Sequence, residues 1–365
     1  MRLTIIAGAR PNFMKIAPLI HEIKRVQQKR NKEGSSLTYK LVHTGQHYDP
    51  KLSATFFNEL NIPKPDVNLE VGSGTQAEQT GNIMIRFEKY LIENPSDLLI
   101  VVGDVTSTMA CSIVAKKLNT KVAHIEAGIR SFDLEMPEEI NRMVTDAITD
   151  YFFTTSEVAN QNLRNAGVPE DQIYFVGNIM IDTLLMNLEK FKKPDIFEEQ
   201  KLSEGNYLVM TLHRPSNVDN PEKLKALLNE IVSNSNRLPL IFPVHPRTKN
   251  TLEQIKFSHP QIILTHPLSY LEFNYLVKNA KAVVTDSGGI QEETTVMGIP
   301  CITMRNNTER PETVTVGSNV MVGDNMDLLK KELKNLFLGK WKKSAIPELW
   351  DGKTAGRIVK ILSDL

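Results

Sequence analysis

The chain has 365 residues, 41% hydrophobic and 24% charged, with 43 basic and 43 acidic side chains and a formal net charge of zero. That is the composition of a globular protein longer than one core usually supports, so two domains are expected. The balanced charge argues against a nucleic-acid binder that relies on a general electrostatic field. Only Cys111 and Cys301 occur, both in apolar contexts, so neither a disulfide framework nor a metal site is supported. No apolar run approaches the roughly 18 residues needed to span a bilayer. Arg10, Pro11 and Lys15 interrupt the run from Leu3 to Ala7 too soon for a signal peptide, so no membrane partner is expected and the chain reads as cytoplasmic.

Short apolar strands alternate with amphipathic helices, the pattern of parallel α/β architecture. The first half predicts strands over Leu3–Gly8, Tyr39–Thr44, Leu98–Gly103, Lys121–Glu126, Tyr151–Thr155 and Ile173–Gly177. The second half predicts them over Tyr207–Leu212, Leu240–Val244, Ile262–Thr265, Ala282–Asp286 and Cys301–Met304. The stretch Glu189–Gly205 is rich in Lys, Glu and Pro with weak periodicity and reads as linker, with a domain boundary near Asn178. The expected domains are residues 1–178 and 179–345, with residues 346–365, ending in an amphipathic helix, packing back on the first. Two doubly wound Rossmann-like domains would then face a cleft, with ligands outside the carboxyl ends of the strands.

Polar clusters follow several of these strands. Gly8-Ala9-Arg10-Pro11-Asn12-Phe13-Met14-Lys15 places Arg10 and Lys15 at a helix start, where the dipole disfavours cations unless an anion compensates. They are anion ligands or solvated charges. No Gly-x-Gly-x-x-Gly follows, so the dinucleotide fingerprint is missing. In Gly103-Asp104-Val105-Thr106, Asp104 is placed either for chemistry or as an N-cap. In His124-Ile125-Glu126-Ala127-Gly128, a carboxylate closes a buried strand; desolvated there, it would have a raised pKa and could act as acid or base.

Next, Pro137-Glu138-Glu139-Ile140-Asn141-Arg142 opens a helix whose Ile140, Met143, Val144, Ala147 and Ile148 share one face. Glu138 and Arg142, spaced i and i+4, share the opposite face and matter only if that face is functional. His213-Arg214 after the seventh strand offers a proton carrier and an anion ligand together, and His245 is a similar, lesser candidate. In Asp286-Ser287-Gly288-Gly289-Ile290-Gln291-Glu292-Glu293, free N–H groups and the helix dipole favour an anion at Ser287, Gly288 and Gly289. Glu293, one turn on, could take a ribose hydroxyl pair; the alternative is an ordinary turn with a serine N-cap. Arg305 and Arg310 add positive charge after the last strand.

In their order, Gly8-Ala9-Arg10-Pro11, Gly103-Asp104, His124–Arg130, Pro137–Arg142, Thr211-Leu212-His213-Arg214, Asp286–Glu293 and Thr308-Glu309-Arg310-Pro311 resemble the non-hydrolysing UDP-N-acetylglucosamine 2-epimerases. The resemblance spans residues 1 to about 325. It implies a glycosyltransferase-B-like pair of domains, usually a homodimer, that acts on a UDP-sugar without a cofactor and supplies surface polysaccharide precursors. It carries catalysis onto Asp104, Glu126, Glu138 and His213. It carries nucleotide contacts onto Arg10, Lys15, Phe273, Ser287, Gly288, Gly289, Glu293 and Arg310. Phe273 would face the uracil, the Ser-Gly-Gly turn the diphosphate and Glu293 the ribose. Arg142 and His47 fall near the active site, and Arg214 would help stabilise developing phosphate charge.

One segment departs from the pattern. Some bacterial members have Gln-His-Arg-Glu-Met where this chain has Gln46-His47-Tyr48-Asp49-Pro50. In regulated members that region helps hold a second, activating UDP-sugar. Relatives acting on 2,3-diacetamido uronic acid sugars share Gly-Gln-His and the Arg130-Ser131-Phe132 seen here, so the exact sugar stays open, as does a glycosyltransferase on the same scaffold.

Overall fold

β-branched and leucine-rich runs form parallel strands, and the helices between them bury one face against the sheets. The computed structural model describes residues 1–30, 37–45, 60–244 and 246–365. The chain divides into two compact units, Met1–Met186 with Glu348–Leu365, and Asn187–Pro347.

The first unit holds β1 (Arg2–Ala7), β2 (Thr38–His43), β3 (Val67–Asn68), β4 (Leu98–Val102), β5 (Lys121–Ala127), β6 (Tyr151–Thr154) and β7 (Ile173–Phe175). Their order is β3-β2-β1-β4-β5-β6-β7, every neighbour parallel. Every residue of β4, Leu-Leu-Ile-Val-Val, is buried, as a central strand covered on both faces requires. Helix Gln76–Glu93 starts with a capping box: Thr75 Oγ1 accepts the Glu78 N–H at 3.3 Å and Glu78 Oε2 accepts the Thr75 N–H at 2.9 Å. The strand order reverses between β1 and β4, which makes their carboxyl ends the switch point where such sheets collect ligands.

The second unit repeats the plan with β8 (Leu208–Thr211), β9 (Leu240–Pro243), β10 (Ile262–Thr265), β11 (Ala282–Thr285), β12 (Cys301–Thr303) and β13 (Asn319–Met321). Their order is β10-β9-β8-β11-β12-β13, again all parallel. Here the switch point lies between β8 and β11, so the turns after Thr211 and Thr285 are neighbours. β3 and β13, the two strands without a sequence signal, are edge strands of two and three residues with partly exposed side chains.

Helix Ile179–Asn187 belongs to the first unit up to Met186, beyond the boundary expected at Asn178. Its Thr183 hydroxyl donates to the carbonyl of Met14, and Asp182 accepts the N–H groups of Thr354 at 3.1 Å and Ala355 at 2.7 Å. Asp182 thereby caps helix Thr354–Asp364 from outside, and that helix buries Ile358, Val359 and Leu362 in the first unit. Trp350, buried, donates its indole N–H to the carbonyl of Thr155 at 3.1 Å. Gly177, at φ +95°, lets Leu349 approach: a Cβ there would lie 2.2 Å from the Leu349 carbonyl oxygen. The stretch Glu189–Gly205, expected as linker, is packed: Phe197 is buried edge-on against Tyr207 and Tyr275, with ring centroids 5.9 and 5.5 Å away.

Candidate active site

In the first unit, polar groups converge at the carboxyl ends of β1, β4 and β5. Asn12 fixes the turn after β1: its Oδ1 accepts from the N–H of Gly8 and Ala9, and its Nδ2 donates to the carbonyl of Val102 at 2.8 Å. This sets Lys15 on the inner side of helix Arg10–Arg30, where Nζ donates to Glu126 Oε2 at 2.7 Å. Gly103, at φ +68°, leaves room for the pair; a Cβ there would lie 3.0 Å from Lys15 Nζ and 3.7 Å from Glu126 Oε2. Glu126 is 3% exposed and holds φ +70°, where the β5–β6 register shifts between Ile125 and Ala127. A bulge of this kind re-aims a side chain, and a left-handed non-glycine residue is strain of the sort found at working sites.

His124, buried, has Nδ1 2.7 Å from Asp146 Oδ1 and Nε2 2.8 Å from the Gly103 carbonyl, which ties the turn after β4 to helix Pro137–Ala147. Arg130 Nη1 reaches Asp146 Oδ2 at 2.6 Å. Burial alone would raise the Asp146 carboxyl, but His124 and Arg130 hold it below the usual carboxylate range.

Helix Pro137–Ala147 is turned opposite to its apolar pattern. Glu139, Asn141, Arg142, Thr145 and Asp146 are buried, while Ile140 and Met143 are 48% and 46% exposed. The polar face is inward because it is fully engaged there: Arg142 Nη2 and Nε donate to Asp104 Oδ2 at 2.7 and 3.1 Å, and Nη1 donates to Glu139. Glu139 also accepts from the Ser131 N–H at 2.9 Å and the Phe132 N–H at 3.1 Å. Glu138 is exposed at the start of this helix, so the buried carboxylate of the Glu-Glu pair is Glu139. Asp104 is not the N-cap of the next helix; Val105 takes that position and Asp104 binds Arg142 instead.

In the second unit, Asp286 is fully buried at the end of β11 and gathers the turn after β8. It accepts the N–H of His213 and of Arg214, the latter at 3.0 Å, and the amide of Asn217 at 3.0 Å. Its Oδ1 lies 2.7 Å from His213 Nδ1. Burial would raise this carboxyl too, but His213, Asn217 and the Arg214 N–H keep it low. Arg214 Nε donates to the Asp286 carbonyl at 3.3 Å.

Ser287 stands at the N-cap of helix Gly288–Met297 without making a side-chain cap, its N–H donating to Thr285 Oγ1 at 3.0 Å; Ser287, Gly288 and Gly289 are partly exposed. Tyr270 Oη donates to Glu293 at 2.9 Å, and burial pushes the Glu293 carboxyl up to about 7. Arg310, buried, donates to Glu292. Phe273, in helix Tyr270–Lys278, is half-buried against the cluster that holds Phe197, Tyr207 and Leu276.

The first unit thus brings Lys15, Asp104, Glu126 and Arg142 together, and the second His213, Arg214, Ser287, Gly288, Gly289, Glu293 and Arg310. His47 and His245 lie outside the described residues, and of Arg10 only its backbone place at a helix start is described. Sequence reasoning gave no role to Glu139, Asp146 or Asp286. The signals for the last two were there: Asp146 is one helical turn past Arg142, and Asp286 opens its motif directly before Ser287. Cys111 and Cys301 are both buried and free, and no metal-binding cluster occurs among the described residues. No described helix is long and apolar enough to cross a membrane.

Two Rossmann-like units, one ending in a buried lysine–carboxylate pair and the other in an anion-suited helix start, define an α/β enzyme of nucleotide-sugar chemistry. The chain belongs to the UDP-N-acetylglucosamine 2-epimerase family, whose family model matches residues 29–363. It is 42% identical over 374 residues to the UDP-N-acetylglucosamine 2-epimerase of Methanocaldococcus jannaschii, covering 100% of this chain and 99% of the relative. It is 36% identical over 370 residues to the UDP-2,3-diacetamido-2,3-dideoxy-D-glucuronate 2-epimerase of Pseudomonas aeruginosa, covering 100% of both. The crystal structure of the Methanocaldococcus jannaschii enzyme in complex with UDP-GlcNAc and UDP matches with a TM-score of 0.86 at 42% identity, over 100% of both chains.

Proposed function

We propose that this chain interconverts UDP-N-acetylglucosamine and UDP-N-acetylmannosamine without hydrolysis. The hydrogen on carbon 2 is not next to a carbonyl, so simple deprotonation and return is disfavoured, and the chain lacks the glycine fingerprint of a nicotinamide enzyme. The remaining route is elimination. A base takes the carbon 2 proton, the C–H electron pair forms the C1–C2 double bond, and the C1–O bond pair leaves with UDP. The glycal is then protonated at carbon 2 from the opposite face as UDP adds back to carbon 1.

The observation that carries this reading is Glu126, a carboxylate 3% exposed, at φ +70°, held 2.7 Å from the Lys15 ammonium. A glycosyltransferase on the same scaffold has no need of a desolvated carboxylate there. Glu126, Asp104 and Glu138 are assigned the proton transfers and His213 with Arg214 the charge developing on the leaving phosphate. Ser287, Gly288 and Gly289 take the diphosphate, Glu293 the ribose and Phe273 the uracil. Arg10, Lys15 and Arg310 complete the nucleotide contacts, with Arg142 and His47 beside the sugar. We further infer a homodimer acting in the cytoplasm; the exposed apolar Ile140 and Met143 are compatible with a subunit contact, and sedimentation equilibrium decides the stoichiometry.

The test is incubation in deuterated water with UDP-N-acetylglucosamine and, separately, UDP-2,3-diacetamido-2,3-dideoxy-glucuronate, followed by NMR. Deuterium at carbon 2 of retained UDP-sugar, with both epimers present, is the expected result. Free N-acetylmannosamine would mean a hydrolysing enzyme. Absence of exchange with either sugar would remove the epimerase reading, and exchange only in the diacetamido sugar would reassign the substrate.

A further inference from the structure

Arg305 leaves β12 directly after Met304, whose N–H donates to the Thr285 carbonyl at 2.8 Å. Its side chain therefore starts beside the carboxyl end of β11, where the helix Gly288–Met297 begins. That side chain is only 3% exposed. Nη2 donates to Glu309 Oε2 at 2.6 Å and to Asn307 Oδ1 at 3.2 Å. Nε and Nη1, both buried, have no hydrogen-bond partner among the described residues. A Cβ at Gly288 would meet Glu309 Oε1 at 3.1 Å and Arg305 Nη1 at 3.9 Å. A desolvated guanidinium thus brings one unmatched nitrogen, Nη1, close to the first residue of a ten-residue helix.

Guanidinium does not lose its proton in proteins, and burying its donors unmatched is costly, so an anion is the partner that resolves the site. Glu309 supplies one carboxylate to one edge. A diphosphate at the helix start would meet Nη1 together with the N–H groups of Gly288 and Gly289 and the helix dipole.

We propose that Arg305 is a diphosphate ligand of the UDP site and that Glu309 is the counter-charge the diphosphate displaces from it. This rests on the reading of Ser287, Gly288 and Gly289 as the diphosphate-binding turn. Glu309 lies against Gly288, where the incoming phosphate would stand, and two anions do not share that place. A Cβ at position 288 would press on that carboxylate at 3.1 Å. The exchange of one anion for another also keeps UDP from binding so tightly that it could not leave.

The experiment measures UDP and uridine affinity, by calorimetry and by competition in NMR, for the full chain and for Arg305→Gln and Glu309→Gln. Arg305→Gln is expected to weaken UDP at least about 10-fold, the usual worth of a charge-assisted hydrogen bond, while uridine changes less than about two-fold. Glu309→Gln is expected to tighten UDP several-fold and leave uridine alone. Unchanged UDP affinity in Arg305→Gln, or equal losses for UDP and uridine, would overturn the proposal. Should Arg305→Gln fail to fold, Glu309→Gln decides, and unchanged or weaker UDP binding there overturns it. If the unaltered protein binds uridine as tightly as UDP, the diphosphate-turn reading itself fails, a result distinct from the others.

Discussion

Asp286 Oδ1 lies 2.7 Å from His213 Nδ1, with the carboxylate fully buried and the imidazole side chain 55% exposed. The ionised carboxylate fixes the proton on Nδ1 and leaves Nε2 as the nitrogen offered to a ligand. β8 and β11 are neighbours in the sheet, so the pairing of Thr211 with Thr285 brings the two residues together from distant parts of the chain.

Asp286 and His213 should therefore act as one unit. His213→Gln and Asp286→Asn are each expected to lower turnover by about 10²-fold or more, and the double variant to be little worse than His213→Gln alone. A double-mutant cycle on kcat checks this; additive losses would show that the two work independently.

Glu126→Gln keeps the shape of the Lys15 partner and removes the base. UDP affinity should not fall, since Lys15 keeps its charge, while turnover and carbon 2 deuterium exchange fall roughly 10²–10⁴-fold. Unchanged exchange would take Glu126 out of the chemistry.

Glu293 gives a pH signature, because burial lifts its carboxyl from 4.5 to about 7 in the folded protein. A raised carboxyl binds its proton more tightly folded than unfolded. Its contribution to stability is thus fully present below 4.5 and is lost as pH rises through about 7. Thermal unfolding without ligand should show Glu293→Gln losing less stability than the unaltered protein over that window. Ribose hydroxyls donating to the ionised form would make UDP binding release a proton near neutral pH, read by calorimetry in buffers of different ionisation enthalpy. A buffer-independent binding heat would contradict the ribose assignment.

Gly177→Ala tests the C-terminal attachment. Beyond the strain of φ +95°, the added methyl meets the Leu349 carbonyl at 2.2 Å. A loss of about 1–3 kcal/mol is expected from the backbone conformation alone. Hydrogen exchange should speed up first in helix Thr354–Asp364, and uniform protection across that helix would refute the attachment argument.

The strands and the polar turns that follow them were legible in the sequence because central parallel strands are continuous apolar runs that end abruptly, as at Val101-Val102-Gly103-Asp104 and Val283-Val284-Thr285-Asp286. β3 and β13 gave no signal, since two- and three-residue edge strands need no apolar run. Helix Pro137–Ala147 misled because periodicity assumes that apolar residues face inward. Here Asp104, Ser131 and His124 satisfy Glu139, Arg142 and Asp146 in the interior, so the polar face is the buried one. Choosing between adjacent Glu138 and Glu139 needs that helical phase, which composition does not supply. The Glu189–Gly205 stretch looked like linker because its anchors, Phe197 and Leu202, are isolated among charges.

Asp182's hold on Thr354 and Ala355 bears on the order of assembly during synthesis. The first unit cannot seal until Glu348–Leu365 has been translated, and by then all of Asn187–Pro347 has already been synthesised. A nascent chain must therefore carry an unclosed lobe while its sequel folds, and a stop codon ahead of Trp350 would release a protein with its later lobe finished and its earlier one still open.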